Sequence, residues 1–150
     1  RGEGTEKPAP TDLGDLLEDV VGQVRRRGRP IDLHLEDRLH LPLRPNAFKR
    51  CITNLVENAA RYGQHVSVRA GHRGDAIEIT VDDDGPGIPE EKRAEVFRPF
   101  FRLDDSRNPE TGGVGLGLTI ARDVVRSHGG EILLSESPAG GLRGRIRLPL

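Results

Sequence analysis

The sequence of 150 residues has little of what several protein classes require. It contains a single cysteine, Cys51, which excludes an intramolecular disulfide and a cysteine-rich zinc site. The net charge of −1 provides no overall field for binding nucleic acid or an acidic membrane. No apolar run approaches the ~20 residues that span a bilayer, and no signal peptide precedes the first predicted helix. We therefore expect one globular domain with a real core, and the start at Arg1 rather than Met indicates a part of a longer protein.

Hydrophobic periodicity predicts the elements of this domain. Helical spacing of apolar residues predicts helices from Asp12 to Gly28, over 45–62, and from near Gly115 to Gly129–Gly130. A short helix is expected over 89–97, and a loop over 98–112, where no period is visible. The polar first ten residues, rich in Gly and Pro, are interpreted as a linker, which leaves 11–150 as the domain. Alternating apolar residues predict strands near 31–35, 39–43, 66–70, 77–81, 131–137 and 143–148.

These elements define the expected fold class. Strands and helices mix without strict alternation, which favours a mixed sheet with helices on one face. We expect a two-layer α/β (α+β) sandwich, with about five strands and three helices on one face. The polar turn 36–38 separates the strands predicted at 31–35 and 39–43, and the turn 138–141 closes a hairpin at the end of the chain.

The helix predicted over 45–62 has a face that packing does not explain. Packing into a core explains its apolar side. The other side carries two carboxamides four residues apart, Asn54 and Asn58, which packing does not explain. Carboxamide oxygens can ligate Mg²⁺, and Arg61, about one turn on, can bind a phosphate oxygen. The alternative is a solvated face with two chance asparagines. The polar side consists of Asn54, Glu57, Asn58, Arg61 and Tyr62.

An acidic run follows the strand predicted near 77–81. Asp82, Asp83 and Asp84 are consecutive carboxylates, and like charges so close repel one another. A buried carboxylate there can accept a hydrogen bond from the exocyclic amine of adenine, while Gly85 and Gly87 let the backbone approach a flat ring. The alternatives are an acidic turn or a calcium loop, although the later Glu of an EF-hand is missing.

Glycines also lead directly into the last predicted helix, at 112–119. Unpaired N–H groups and the positive end of the helix dipole make such a start an anion site. The spacing does not fit a dinucleotide-binding fingerprint, because no strand immediately precedes it. It does not fit a Walker A loop either, since no Lys-Ser/Thr follows the last glycine.

The order of these motifs resembles the N, G1, F and G2 boxes of sensor histidine kinases over residues 44–150. The boxes are Asn54…Asn58-Ala59, Asp83-x-Gly85-x-Gly87, Phe97-x-x-Phe100-Phe101 and Gly113-x-Gly115-x-Gly117. The phrases NAARYG, DDDGPGIP, PFFR and GLGLTIA are most similar to the osmosensing branch that answers to OmpR-type regulators. The resemblance implies a domain that binds ATP and Mg²⁺ and transfers the γ-phosphoryl to a histidine.

The resemblance also implies roles for individual residues. Asn58 would hold Mg²⁺ on the ATP phosphates with Asn54 close by, Arg61 would neutralise phosphate charge, Tyr62 would cover adenine, and Asp83 would accept from its amine. Glu57 would polarise the attacking imidazole, and Arg102 and Arg107 are lid cations that could reach the γ-phosphate, or else free surface arginines. The remaining nucleotide contacts implied are Gly85, Gly87, Ile88, Phe101, Gly113, Val114, Gly115, Leu116, Gly117, Leu118 and Thr119.

Two features separate this chain from related proteins. ATPases of the same fold (gyrase, the Hsp90 chaperone, MutL) usually place a Glu at the position of Asn54 to activate water, so we expect slow hydrolysis here. No histidine is followed by Glu or Asp and then Pro, the context of a phosphoacceptor. The acceptor domain is therefore expected upstream of Arg1, and this piece alone should not phosphorylate itself.

The partners implied are the protein's own dimerisation and histidine-acceptor domain and an OmpR-type response regulator. The full-length protein is expected to be a homodimer and the fragment a monomer, without nucleic acid. It would be the cytoplasmic domain of an inner-membrane bacterial sensor, joined to the membrane only through missing upstream segments. Two alternatives stay open, namely a GHKL-type ATPase or serine-directed anti-sigma kinase, and a nucleotide-sensing module without phosphotransfer.

Overall fold

The computed structural model describes residues 6–36, 38–97 and 114–150. The described helices are α1 (Leu13–Arg25), α2 (Pro45–Tyr62) and α3 (Val114–Ser127). The strands are β1 (Ala9–Asp12), β2 (Ile31–Leu35), β3 (His40–Leu43), β4 (Val66–Arg73), β5 (Ala76–Asp83), β6 (Glu131–Glu136) and β7 (Leu142–Pro149).

Five strands form the main sheet in the order β2-β4-β5-β7-β6. The β2–β4 pair is parallel, with α2 in the connection between them, and the other pairs are antiparallel. α1 contacts β2, α2 contacts β4 and β5, and α3 contacts β6, so the helices form one layer across the sheet. The predicted sandwich of a mixed five-stranded sheet and a helical layer is confirmed.

The core lies between these two layers. On α2, the predicted apolar face is buried, with Phe48, Ile52 and Val56 fully enclosed. On β5, the alternation of side chains along a strand places Ile77, Ile79 and Val81 against the helices. On α3, Leu118, Ala121 and Val125 are buried, whereas Ile120 is exposed.

The start of the chain differs from the predicted linker. Residues 9–12 form β1, which pairs with β3 in a separate two-stranded sheet. The carboxylate of Glu6 accepts the backbone N–H groups of Asn46 and Ala47 at 2.9 and 3.0 Å, where the first turn of α2 has no internal partners. Residues 6–12 are therefore folded onto the domain, and β3 pairs with β1 rather than with β2.

The segment after β5 also differs from its prediction. Instead of one short helix over 89–97, it forms two 3-10 turns, Glu90–Lys92 and Glu95–Phe97. The second turn buries Val96 and Phe97 against the core. The predicted loop over 98–112 lies outside the described residues.

Candidate nucleotide-binding site

A cleft opens between the carboxyl half of α2 and the ends of β5 and β7. It encloses about 540 Å³ of empty space, part of it open to solvent, and its walls are largely apolar. Six of the predicted site residues line it: Asn58, Tyr62, Asp83, Gly87, Ile88 and Leu118. The three separate sequence motifs therefore meet in one place. The other lining residues are Leu55, Ala59, Val81, Pro86, Leu134, Leu142 and Gly144.

Asp83 is the buried charged group of this cleft, with 5% of its surface exposed. Its Oδ1 accepts the N–H of Gly85 at 2.9 Å and the N–H of Leu142 at 3.1 Å. Both hydrogen bonds that this carboxylate makes within the described chain go to Oδ1, and none of them uses Oδ2. Burial raises the pKa of Asp83, and the two backbone hydrogen bonds oppose that shift by favouring the carboxylate.

The neighbouring aspartates have structural partners. Asp82 makes a bidentate ion pair with Arg143, with Nε–Oδ1 and Nη2–Oδ2 distances of 2.6 and 2.8 Å. Asp84 accepts the backbone N–H groups of Gln64 and His65, which lowers its pKa. Of the three consecutive carboxylates, Asp83 alone therefore faces the cleft.

The glycines after Asp83 are explained by contacts inside the protein. A β-carbon at Gly85 would lie 2.6 Å from the carbonyl oxygen of Tyr62, so the backbone passes against the end of α2. Gly87 has a φ of +74°, a left-handed conformation that favours glycine. At Gly85, the structure shows a close approach between two backbone segments. The predicted approach of a base to these glycines stays a prediction.

The polar face of α2 divides into two environments. Asn58 lines the cleft, whereas Glu57 forms an ion pair with Arg27, beyond the end of α1. Asn54 is half-buried and Arg61 is exposed, and neither lines the cleft formed by the described residues. The roles predicted for Asn54, Glu57 and Arg61 stay predictions.

The glycine-rich motif is described only in part. The backbone of Val114, Gly115, Leu116 and Gly117 forms the first turn of α3, as expected for a glycine run that opens a helix. Farther along α3, Leu118 lines the cleft and the hydroxyl of Thr119 donates to the carbonyl of Phe97. The predicted contacts at Phe101, Arg102, Arg107 and Gly113 lie outside the described residues.

Sequence reasoning missed the residues that hold Asp83 in place. Ser137 donates its hydroxyl to the Asp83 carbonyl at 2.6 Å, and Gly141 and Leu142 lie directly against the Asp83 carboxylate. Their segment was predicted only as a hairpin turn, and no local pattern indicates which strand end such a turn will touch.

None of the helices in the described ranges is long and apolar enough to cross a membrane. Within the same ranges, no cluster of three His, Cys, Asp or Glu side chains is placed to hold a metal ion. A single carboxamide that binds a metal ion together with ligand phosphates does not need such a cluster.

Comparison with known proteins gives the family. The family of histidine kinase-, DNA gyrase B- and HSP90-like ATPases matches residues 44–150. Over 108 residues the chain is 47% identical to the sensor histidine kinase CpxA of Escherichia coli, an alignment that covers 71% of this chain and 23% of CpxA. The chain thus spans about a quarter of the length of that relative.

Solved structures agree with this match. A mycobacterial sensor histidine kinase, MprB, has a TM-score of 0.82 and 27% identity, with 95% of this chain and 97% of that chain covered. The histidine kinase domain of the Escherichia coli osmosensor EnvZ has a TM-score of 0.74 and 37% identity, with 98% and 92% covered. Placement in the osmosensing branch stays a prediction. The chain belongs to the histidine kinase-, DNA gyrase B- and HSP90-like ATPase family, as the ATP-binding domain of a sensor histidine kinase.

Proposed function

We propose that this domain binds Mg-ATP in the cleft and delivers the γ-phosphoryl group to a histidine of a separate acceptor domain. The observation that carries the proposal is the position of Asp83, a buried carboxylate in a largely apolar cleft whose two hydrogen bonds to the described chain both go to Oδ1. A flat base with an exocyclic amine suits both properties, because the walls bury the ring and Oδ2 accepts from the amine.

Asn58 is the residue that fits a metal. Its side chain lies in the cleft, within reach of a ligand whose base is directed toward Asp83, and a carboxamide oxygen is a suitable Mg²⁺ ligand. Bound Mg²⁺ would neutralise charge on the phosphates. Because the described part of the chain offers no carboxylate cluster for a metal, Asn58 would act together with phosphate oxygens rather than form a complete site alone.

The acceptor is proposed to lie on another domain because the histidines here are unsuited to it. Both ring nitrogens of His128 are engaged: Nδ1 bonds the carbonyl of Val124 at 2.8 Å, and Nε2 accepts the N–H of Arg44 at 3.0 Å. None of the five histidines has the sequence context of a phosphoacceptor. The remaining four are His34, His40, His65 and His72.

The reaction would break the bond between the γ-phosphorus and its bridging oxygen and form a bond from phosphorus to an imidazole nitrogen, releasing ADP. In-line positioning and charge stabilisation would supply most of the rate. Asn54 is a poor base and would not activate water, which favours transfer to protein over hydrolysis. From the histidine, the phosphoryl group would pass to an Asp of a response regulator, proposed to be OmpR-type. The homodimeric full-length protein and its place in a bacterial inner membrane also stay proposals.

The experiment combines the purified domain with the separately produced acceptor hairpin of the full-length protein and γ-labelled ATP. We expect alkali-stable, acid-labile label on the hairpin histidine, Mg²⁺ dependence, and little free phosphate. Asp83→Ala should abolish labelling, while Asp75→Ala, a change of an exposed aspartate in the β4–β5 turn, should leave it intact. Rapid release of phosphate without labelled histidine would support an ATPase. Nucleotide binding without either product would support a sensing module.

A further inference from the structure

The turn that joins β6 to β7, residues 137–142, is built around the hydroxyl of Ser137. Ser137 is 4% exposed, and its Oγ donates to the carbonyl oxygen of Asp83 at 2.6 Å. The same Oγ accepts the N–H groups of Ala139 at 3.1 Å and Gly141 at 3.2 Å. A hydroxyl has one donor and two acceptor positions, so this side chain is fully used.

The turn also contacts the carboxylate of Asp83 directly. The N–H of Leu142 donates to Oδ1 at 3.1 Å. A β-carbon at Gly141 would lie 2.2 Å from the same Oδ1 and 2.4 Å from the Asp83 carbonyl oxygen, so the turn can approach only because residue 141 is glycine. The turn therefore holds the main chain of Asp83 through Ser137 and its carboxylate through Leu142.

We propose that Ser137 is a positioning residue for base recognition, acting through Asp83. By fixing Oδ1 on backbone donors, the β6–β7 turn holds Oδ2 toward the cleft and so selects bases that carry an exocyclic amine at this point. This inference rests on the proposed function, because it requires adenine to bind at Asp83.

Its physical basis is the cost of leaving the buried groups unpaired. Without the Ser137 hydroxyl, the Asp83 carbonyl and two backbone N–H groups lose their partner, and the turn must shift to regain one. A shift that moves the N–H of Leu142 away from Oδ1 removes one of the two backbone donors that hold this oxygen, so the carboxylate is held less firmly by the N–H of Gly85 that remains. The apolar walls on α2 and β5 stay as they are, so stacking of a base should persist while recognition of its amine weakens.

The experiment compares the binding of ATP with that of purine riboside triphosphate, which lacks the 6-amino group of ATP. In the wild-type domain, we expect ATP to bind on the order of tenfold more tightly, as a hydrogen bond to a charged acceptor predicts. Ser137→Ala should weaken ATP about five- to tenfold and change the affinity for purine riboside triphosphate less than about twofold. Ser137→Thr retains the hydroxyl and should preserve the preference.

A matched control is available on β6, two residues before Ser137. Ser135 pairs with Arg143 of β7, and β7 lies between β6 and β5, so Ser135→Ala should leave both affinities unchanged. If Ser137→Ala does not fold, Ser137→Cys supplies the second variant, because a thiol is a weaker donor and acceptor than a hydroxyl and should reduce the preference for ATP. Thermal unfolding of each variant verifies that a folded domain is compared.

The outcomes separate this inference from the proposed function. If Asp83→Ala leaves the preference for ATP intact, adenine does not bind at Asp83 and the proposed site is wrong. If Asp83→Ala removes the preference while Ser137→Ala and Ser137→Cys keep it, the site stands and the positioning role is overturned. Equal weakening of both nucleotides by Ser137→Ala would indicate a merely structural role and would also overturn the inference.

Discussion

Gly144 offers a direct test of where the base lies. It is the third residue of β7, opposite Val81 on one side and Leu134 on the other, and it forms part of the cleft wall. A β-carbon there would lie 3.9 Å from Cδ2 of Leu55 and 4.0 Å from Cδ2 of Leu134. These are ordinary contact distances, so Gly144→Ala should be accepted without strain.

The substitution should therefore stabilise the nucleotide-free domain. Replacing glycine in a conformation that alanine can adopt contributes about 0.4–1 kcal/mol through the unfolded chain. Burying one more methyl group adds up to about 0.8 kcal/mol. Together they raise the unfolding free energy of Gly144→Ala by about 0.4–1.8 kcal/mol, and Tm should rise about 2–4 °C for each kcal/mol.

ATP affinity should change in the opposite direction. The new methyl occupies space at the cleft wall where the ring would pack, and overpacking a well-filled site costs about 1–3 kcal/mol. We expect Gly144→Ala to bind ATP on the order of tenfold more weakly and Gly144→Val more weakly still. Titration calorimetry measures the affinity, and a thermal scan without nucleotide measures the stability.

A control on α1 separates the two effects. Gly22→Ala places its β-carbon 3.6 Å from the flexible end of Arg26 and should stabilise the helix by about 0.5–1 kcal/mol. Because Gly22 is not part of the cleft wall, its ATP affinity should equal that of the wild type. If Gly144→Ala stabilises the domain but keeps full ATP affinity, the base does not lie against β7 and our reasoning about the cleft fails.

Three further predictions concern the metal, the pH dependence and the sheet. Asn58→Ala should abolish the Mg²⁺ dependence of ATP affinity measured by calorimetry; an unchanged dependence would place the metal elsewhere. The raised pKa of Asp83 means that folding favours its protonated form, so its contribution to stability is present at low pH and is lost as pH rises from the ordinary value through the raised value. Above that pH range, Asp83→Asn should therefore have a higher free energy of unfolding than the wild type in pH-dependent denaturation. A lower free energy of unfolding for the variant there would contradict this direction. Arg143→Ala leaves the largely buried Asp82 without its partner and should lower the unfolding free energy by about 1–3 kcal/mol in urea titrations, whereas Lys49→Ala, at a more exposed pair, should cost at most about 1 kcal/mol. Equal losses would contradict the effect of burial.

Hydrophobic periodicity was sufficient to predict the helices and strands whose buried residues repeat regularly along the chain. The apolar face of α2 and the final hairpin were predicted correctly because a helix or strand with one buried face repeats its pattern along the chain. Pairing between distant segments was not predictable in this way. Alternation at 31–35 and 40–43 indicates two strands but does not show that one joins β4 and the other joins β1. Glu6 looked like part of a linker because its partners, at the start of α2, are 40 residues away.

The same limit applies to the polar residues of the site. Glu57 is a candidate site residue because of its place on the polar face of α2. Its ion-pair partner Arg27 lies 30 residues earlier in the chain, so the sequence does not indicate this contact. Arg27 belongs to a run of three arginines that starts at the last residue of α1, where positive charge also complements the helix dipole. A single sequence shows that both residues are charged, but whether they meet depends on how α1 packs against α2.

The three aspartates show how a pattern that looks unfavourable in sequence becomes favourable in a strand. Successive side chains of a strand point to opposite faces, so the helix-facing series of β5 that begins at Ile77 continues through Ile79 and Val81 to Asp83. Asp82 points to the other face, where Arg143 neutralises it, and Asp84 lies past the strand end on backbone N–H groups. Since the repulsion between neighbours is relieved on two sides, burial is the largest factor acting on Asp83, and the coulombic effects of Asp82 and Asp84 are smaller. A carboxylate can remain in an apolar cleft under these conditions because backbone donors hold one of its oxygens and the other is left for a ligand.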